Sequence, residues 1–181
     1  MRVSKEKAAA NRERILNEAA RLFRERGLSG VGVDALTEAA GLTYGSLYSQ
    51  FGSKENLAAE ALSHAQTTNS SRMSDAGTLD EYLARYLSMD HLKRRGDGCV
   101  IAALAGEIPR QGAAIRHNFT NAVRAGTQQI AALTKGRDSS EDEALAIVAT
   151  MVGALILARA IDDPQLSERI MTAARTRLAL R

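Results

Sequence analysis

Residues 33–54, VDALTEAAGLTYGSLYSQFGSK, decide the fold of this chain. The spacing predicts a first helix over residues 33–40, with Gly32 at its N-cap and Val33, Leu36 and Ala40 on one face. Gly41 falls where that helix must end in a left-handed residue, which glycine enters without a Cβ penalty. Leu42 is the apolar plug of the turn, and Thr43 is the N-cap of a second helix over residues 44–50. Leu47 and Phe51, four apart, face inward, leaving Tyr44, Gly45, Ser46, Tyr48 and Ser49 toward the outside. Gly52 and Ser53 close that helix and cap a third, whose first turn carries Lys54. Two short helices about a glycine turn are how a helix-turn-helix aims one helix into a DNA groove. Small and hydroxylic side chains on its outer face suit close approach to phosphates and base edges. A lysine beside the free N–H groups of a helix start favours a phosphate.

Upstream, NRERILNEAARLFRERG (residues 11–27) places Ile15, Ala19, Leu22 and Leu16, Ala20, Phe23 on one broad helical face. Residues 1–31 hold eight Lys or Arg (Arg2, Lys5, Lys7, Arg12, Arg14, Arg21, Arg24, Arg26) against four Glu. Such an arm would help to hold phosphates, although i,i+4 pairing would equally make Arg21 to Arg26 a solvated face. The run AGLTYGSLYSQFGSKENL (residues 40–57), with this preceding helix, resembles the N-terminal domain of TetR-family transcriptional regulators. Ala40, Gly41, Gly45, Leu47, Tyr48, Phe51, Ser53, Lys54 and Leu57 carry the resemblance. It implies a recognition helix in the major groove, with Tyr48 and Lys54 on the DNA backbone. Carried over, the DNA contacts are Thr43, Tyr44, Gly45, Ser46, Tyr48, Ser49 and Lys54. Tyr44 stands where a lysine or other polar residue is common in the family, and Asn56 where an acid is common.

The chain of 181 residues is long enough for a substantial core, and its net charge of +3 excludes a polycation that coats nucleic acid. One cysteine leaves no intrachain disulfide, which fits a reducing compartment, and the polar N-terminus has no leader pattern. The expected location is therefore the cytoplasm, with no membrane partner, and the resemblance implies a bacterial cell and the nucleoid. The apolar run over residues 144–157 reads as too short for a membrane span. His64, His91 and His117 form no metal-ligand pair, and Cys99 has no context for a nucleophile. GLSGVG (residues 27–32) lacks the preceding strand and the lysine of a phosphate loop. No catalytic residue, metal or cofactor is expected.

The whole reads as an all-α protein of about nine helices: a DNA-binding domain over residues 1–53 and a ligand-binding and dimerisation domain over residues 54–181. Residues 67–78, TTNSSRMSDAGT, read as a loop or frayed helix end, and KRRGDG (residues 93–98) as a loop. Capping boxes are expected at Thr78 with Glu81 and at Ser140 with Glu143, and a final helix is capped by Asp163 with Pro164 at its first position. Residues 144–161 are apolar on nearly every side, so other helices or a second subunit must bury them. The run MVGALILARAIDDPQLSERI (residues 151–170) looks like the last two helices of many TetR-like proteins, which pair with their mates as a four-helix bundle. The expected dimer interface is Ala149, Gly153, Ala154, Leu157, Leu166, Ile170 and Ala173. The resemblance further implies a repressor of a palindromic operator, released when a small molecule binds the second domain. Candidate pocket residues are Tyr82, Tyr86, Met89, Leu104, Glu107, Phe119 and Met151, with Glu107 suited to a cationic ligand. Arg159 reads as reaching back toward Asp162 or Asp163.

Overall fold

A computed structural model describes residues 5–73, 75–134 and 140–179. Among these the chain forms ten α-helices and no strand, one helix more than the sequence reading expects. The first three are α1 (Lys5–Arg26), α2 (Val33–Ala40) and α3 (Tyr44–Phe51). They bury Ile15, Ala19, Phe23, Val31, Leu36, Leu47 and Phe51 against one another. The caps fall where the sequence puts them. Gly41 takes φ 60°, and the amide N–H groups of Gly41 and Leu42 bond back to α2 carbonyls. The Thr43 hydroxyl accepts the Ser46 amide at 3.3 Å.

α4 (Lys54–Met73) starts at a Ser53 cap, whose hydroxyl accepts the Asn56 amide at 3.0 Å. It runs through residues 67–73, where a loop or frayed helix end was expected. Thr67, Thr68 and Ser71 satisfy their hydroxyls by donating to carbonyls one turn back. Gln129 donates across to the Ser70 carbonyl at 3.5 Å. Tertiary contact thus overrides weak local propensity. The expected boundary at residue 53 coincides with the start of α4, yet α4 packs on both α1 and α8 (Ala113–Leu133) and serves both halves.

α5 (Leu79–Tyr86) begins at Thr78, whose hydroxyl accepts the Glu81 amide, while Glu81 accepts from the Gly77 amide. α6 (Met89–Lys93) and a 3-10 turn at Arg95–Asp97 occupy much of the expected KRRGDG loop. α7 (Val100–Leu104) is shorter than the apolar run around it, and a second 3-10 turn at Ile108–Arg110 precedes α8. The break expected after α8 falls largely on residues 135–139, outside the described residues. α9 (Glu141–Ala160) opens on the Ser140–Glu143 cap, and α10 (Pro164–Ala179) on Asp163, whose carboxylate accepts the Gln165 and Leu166 amides.

α9 packs on α7, α8 and α10, and α10 also touches α5. Its inner face holds Ala144, Ile147, Met151, Leu155 and Ala158. In α10 the buried side is Ser167, Met171 and Leu178, so Leu166 and Ala173 lie on the open side, with Ile170 half-buried at its edge. By length and composition α9 is apolar enough to cross a membrane, unlike the shorter run read from sequence; its most apolar 18-residue window has mean hydropathy 1.8 and is 44% buried within this chain.

Candidate nucleic-acid interface

α3 presents two unlike sides. Leu47 and Phe51 are sealed in the core, while Tyr44 is 49% and Tyr48 46% exposed. Between them Gly45 is open, with no atom within 4 Å of where a Cβ would stand, so a flat partner can approach the backbone there. The hydroxyls nearby have local partners. Ser49 donates to the Ser46 carbonyl at 3.0 Å, and the Gln50 amide donates to the Ser46 hydroxyl at 3.2 Å. These bonds hold the polar groups of the face in place before any partner arrives.

Lys54 has a second duty that its sequence position did not disclose. Its ammonium donates to the Leu28 carbonyl at 3.0 Å, tying the start of α4 to the turn between α1 and α2. Two ammonium protons remain for an anion. The arginines of α1 are less free than their number implies. Arg12 pairs with Glu60 and lies 4.7 Å over the Phe51 ring. Arg21 is held between Glu18 and Glu25, both at 2.9 Å, which raises its pKa, chiefly through the Glu18 hydrogen bond. Arg24 turns inward to the Gly96 carbonyl at 2.5 Å, and burial lowers its pKa. Arg14, bonded to Asn11, reaches the Gly41 turn. Arg2 and the side chains of Lys5 and Lys7 lie outside the described residues.

The reading head is locked to the second domain through Glu107. Its carboxylate accepts the Leu28 and Ser29 amides at 3.1 and 3.0 Å. Gly27, at φ 78°, makes this possible, because a Cβ there would stand 2.1 Å from Glu107 Oε1. Glu107 therefore caps the α1–α2 turn, 78 and 79 residues away, and lines a separate cleft of about 270 Å³ rather than the spaces around Tyr82 and Tyr86.

In the second domain a small cavity of about 20 Å³ is lined in part by Tyr82, Tyr86, Cys99 and Met151. It adjoins a larger cleft of about 400 Å³ that includes Arg72, Arg85, His91 and Arg94. The structure thus brings Tyr82, Tyr86 and Met151 together. Met89, Leu104 and Phe119 line neither space, and Leu104 is sealed in the core. Asn69 and Arg72 were missed because the polar end of α4 read as a loop or frayed helix end. Arg159 also departs from expectation: its guanidinium donates to the His91 and Leu92 carbonyls at 2.7 and 3.4 Å. His91 accepts the Cys99 amide on Nε2 at 3.0 Å and donates from Nδ1 to the Tyr86 carbonyl at 2.7 Å. Burial lowers its pKa, and the nearby Arg159 and Arg94 add to the effect.

The outer side of α9 and α10 is aliphatic. Leu145, Leu157 and Leu166 are 42%, 57% and 40% exposed, and Ala149 and Ala173 are exposed with them. Gly153 and Ile170 are half-buried at its edge. Ala154, expected on this surface, faces the core instead.

Residues 15–61 match the family model described as bacterial regulatory proteins, tetR family. Over 107 residues the chain is 33% identical to the HTH-type transcriptional repressor DhaR of Mycobacterium sp. (strain GP1), a match covering 54% of this chain and 52% of that protein. The chain thus spans about half the length of the curated relative it matches. Its fold is similar to that of a TetR-family transcriptional regulator from Cytophaga hutchinsonii, with TM-score 0.80, 23% identity and 99% and 97% of the two chains covered. A TetR transcriptional regulator from Chloroflexus aurantiacus J-10-FL gives TM-score 0.78 at 25% identity, with 96% of each chain covered.

Proposed function

We propose that this chain is a transcriptional regulator of the TetR family, which its match over residues 15–61 supports, and that it is a homodimeric repressor released from a palindromic operator by a small molecule. The observation that carries the reading is the face of α3. Tyr44 and Tyr48 stand exposed around an open Gly45, on a helix whose other side is locked into the core. Thr43, Tyr44, Gly45, Ser46, Tyr48 and Ser49 meet the major groove, and Lys54 meets a phosphate at the start of α4. A tyrosine lays an apolar ring on sugar and base edges while its hydroxyl reaches a phosphate.

The aliphatic side of α9 and α10 takes the same side of a second copy, as two-fold symmetry requires. Leu157, Leu166, Ala149, Gly153, Ile170 and Ala173 lie there, joined by Leu145 and without Ala154. The dimer sets the distance between two copies of α3. A ligand that prefers the wide-spaced state moves the population away from DNA. The residues from 54 onward hold the ligand and the dimer contact. The protein acts in the cytoplasm and needs no catalytic residue or cofactor for this work.

Selection of binding sites from random duplex DNA tests the reading. The expected product is a palindrome whose half-sites lie about 10 base pairs apart, or a multiple of that. Its affinity should fall steeply with salt as phosphate counterions are released. Sites without two-fold symmetry, or a flat salt response, would overturn it.

A further inference from the structure

Asn69 and Tyr86 line both the small cavity and the larger cleft, and so stand between them. They are also the polar residues of that junction that the fold leaves unused. The Tyr86 hydroxyl is buried with no hydrogen-bond partner. The Cys99 thiol lies near enough to act on it by charge and as a weak sulfur hydrogen-bond partner, but no group among the described residues meets full hydrogen-bond geometry with it. The Asn69 amide makes no hydrogen bond among the described residues either. By contrast, Gln66 and Gln129, further along the same wall, donate to Ser70. An orphaned buried hydroxyl is costly, and natural structures keep one where something else uses it.

The two volumes set the shape of the occupant. About 20 Å³ holds one water-sized group, and about 400 Å³ is the range of small-molecule sites. A ligand therefore leaves its body in the cleft and passes a single terminal atom inward. The two residues at the junction both offer donors. Burial raises the pKa of Tyr86, so its proton stays on, and the Asn69 amide has two more. No charged side chain lines the cavity. The charges of the cleft are mostly paired already, Arg72 with Asp97 at 3.7 Å and Arg94 with Asp90. A carboxylate oxygen pushed inward would find no cation. An ether oxygen is not terminal, and a hydroxyl brings a proton of its own to place. A carbonyl oxygen is terminal, uncharged and accepts two hydrogen bonds.

We propose that this junction is the effector site and that its ligand is a small uncharged carbonyl compound, its oxygen accepting from Tyr86 and Asn69 and its body lying in the cleft. The assignment rests on the effector reading of the second domain.

Three compounds of one shape test it by calorimetry on the full chain: acetophenone, ethylbenzene without the oxygen, and benzoate with a charge in its place. Acetophenone should bind at least tenfold more tightly than either of the others. Tyr86→Phe should weaken acetophenone at least tenfold and leave ethylbenzene alone; Asn69→Ala should weaken it by a smaller factor. Benzoate binding as tightly as acetophenone, full acetophenone affinity in Tyr86→Phe, or no binding of any of the three would each overturn the assignment. Fluorescence anisotropy of a labelled operator, measured in parallel, separates the two layers. Acetophenone that binds but does not release the operator would sink the effector reading instead.

Discussion

α3 and the outer side of α9 both expose large apolar side chains to about the same extent, yet they are built for different partners. On α3 the exposed groups are Tyr44 and Tyr48, each with a polar tip, set among hydroxyls and a bare glycine. On α9 they are Leu145, Ile156 and Leu157, with only aliphatic atoms to offer. Tyrosine tips keep hydrogen-bonding value against a wet, charged surface such as DNA, whereas leucines gain only by leaving water against another apolar face. Exposure by itself says that a surface is used; the chemistry of the tips says by what. The chain then places the two surfaces at opposite ends of one path, through α1, α4 and α8.

The comparison breaks most visibly at Leu157. Leu157→Glu sets a charge where the second copy should sit, and the dimer should dissociate, read by sedimentation. One reading head alone loses the advantage of two linked contacts, so operator affinity should drop by about 100-fold or more. A variant that stays dimeric would place the interface elsewhere. At α3 the effect should be smaller and leave the dimer intact. Tyr48→Ala should weaken operator binding about tenfold, or ~1.4 kcal/mol, with little change in melting temperature because the ring is half exposed. Lys54→Gln should do both: weaken DNA binding and lower the melting temperature, since its ammonium also holds the Leu28 carbonyl. An unchanged operator affinity in both variants would reassign the recognition surface.

Next in size is the link between the regions. Glu107→Gln keeps one acceptor oxygen but loses the charge that holds the Leu28 and Ser29 amides. It should cost about 1–2 kcal/mol in denaturant unfolding. A loss no larger than ~0.3 kcal/mol would show that the α1–α2 turn is held by its own packing of Leu28 and Val31.

The same comparison shows why the two regions differed in legibility. Every signal that defines α2 and α3 is local: Gly41, Thr43 and Gly52 each act within four residues. The aliphatic side of α9 was legible too, because a helix apolar all round must be covered. What escaped the sequence was set by distance. Glu107 finds its partners across 78 and 79 residues, and Arg159 turns from its neighbouring acids to carbonyls 67 and 68 residues earlier. The end of α4 escaped for a different reason. Its threonines and serines favour turns, and only packing beside α8 with hydroxyl bonds to the preceding turn keeps them helical. That misreading hid Asn69, and with it the junction beside Tyr86.

The smallest expected effect lies between the two surfaces, at His91. Its ring joins the end of α5 to the start of α7, with Nδ1 donating to the Tyr86 carbonyl and Nε2 accepting the Cys99 amide. Protonation would put a proton on Nε2 facing another N–H. The groups around it are Arg159 from α9, Asp90 from α6, Arg94 just after α6, and Tyr86 from α5, so the positive neighbours outnumber the negative one. The folded pKa is therefore lowered below the unfolded value near 6.5, with burial the larger cause. Between those two values the unfolded chain binds more protons than the folded one, so stability is full above about pH 6.5 and falls as the pH drops toward the folded pKa. Wild-type melting temperature should decline over that window, and His91→Gln should decline less, since an amide does not titrate. Because α3 and its caps contain no group that titrates there, hydrogen exchange at mildly acidic pH should quicken around α5 to α7 before it quickens in α2 and α3. Exchange that quickens first in the reading head would mean that acid acts through the Glu107 link, and that the two regions are less separable than their surfaces imply.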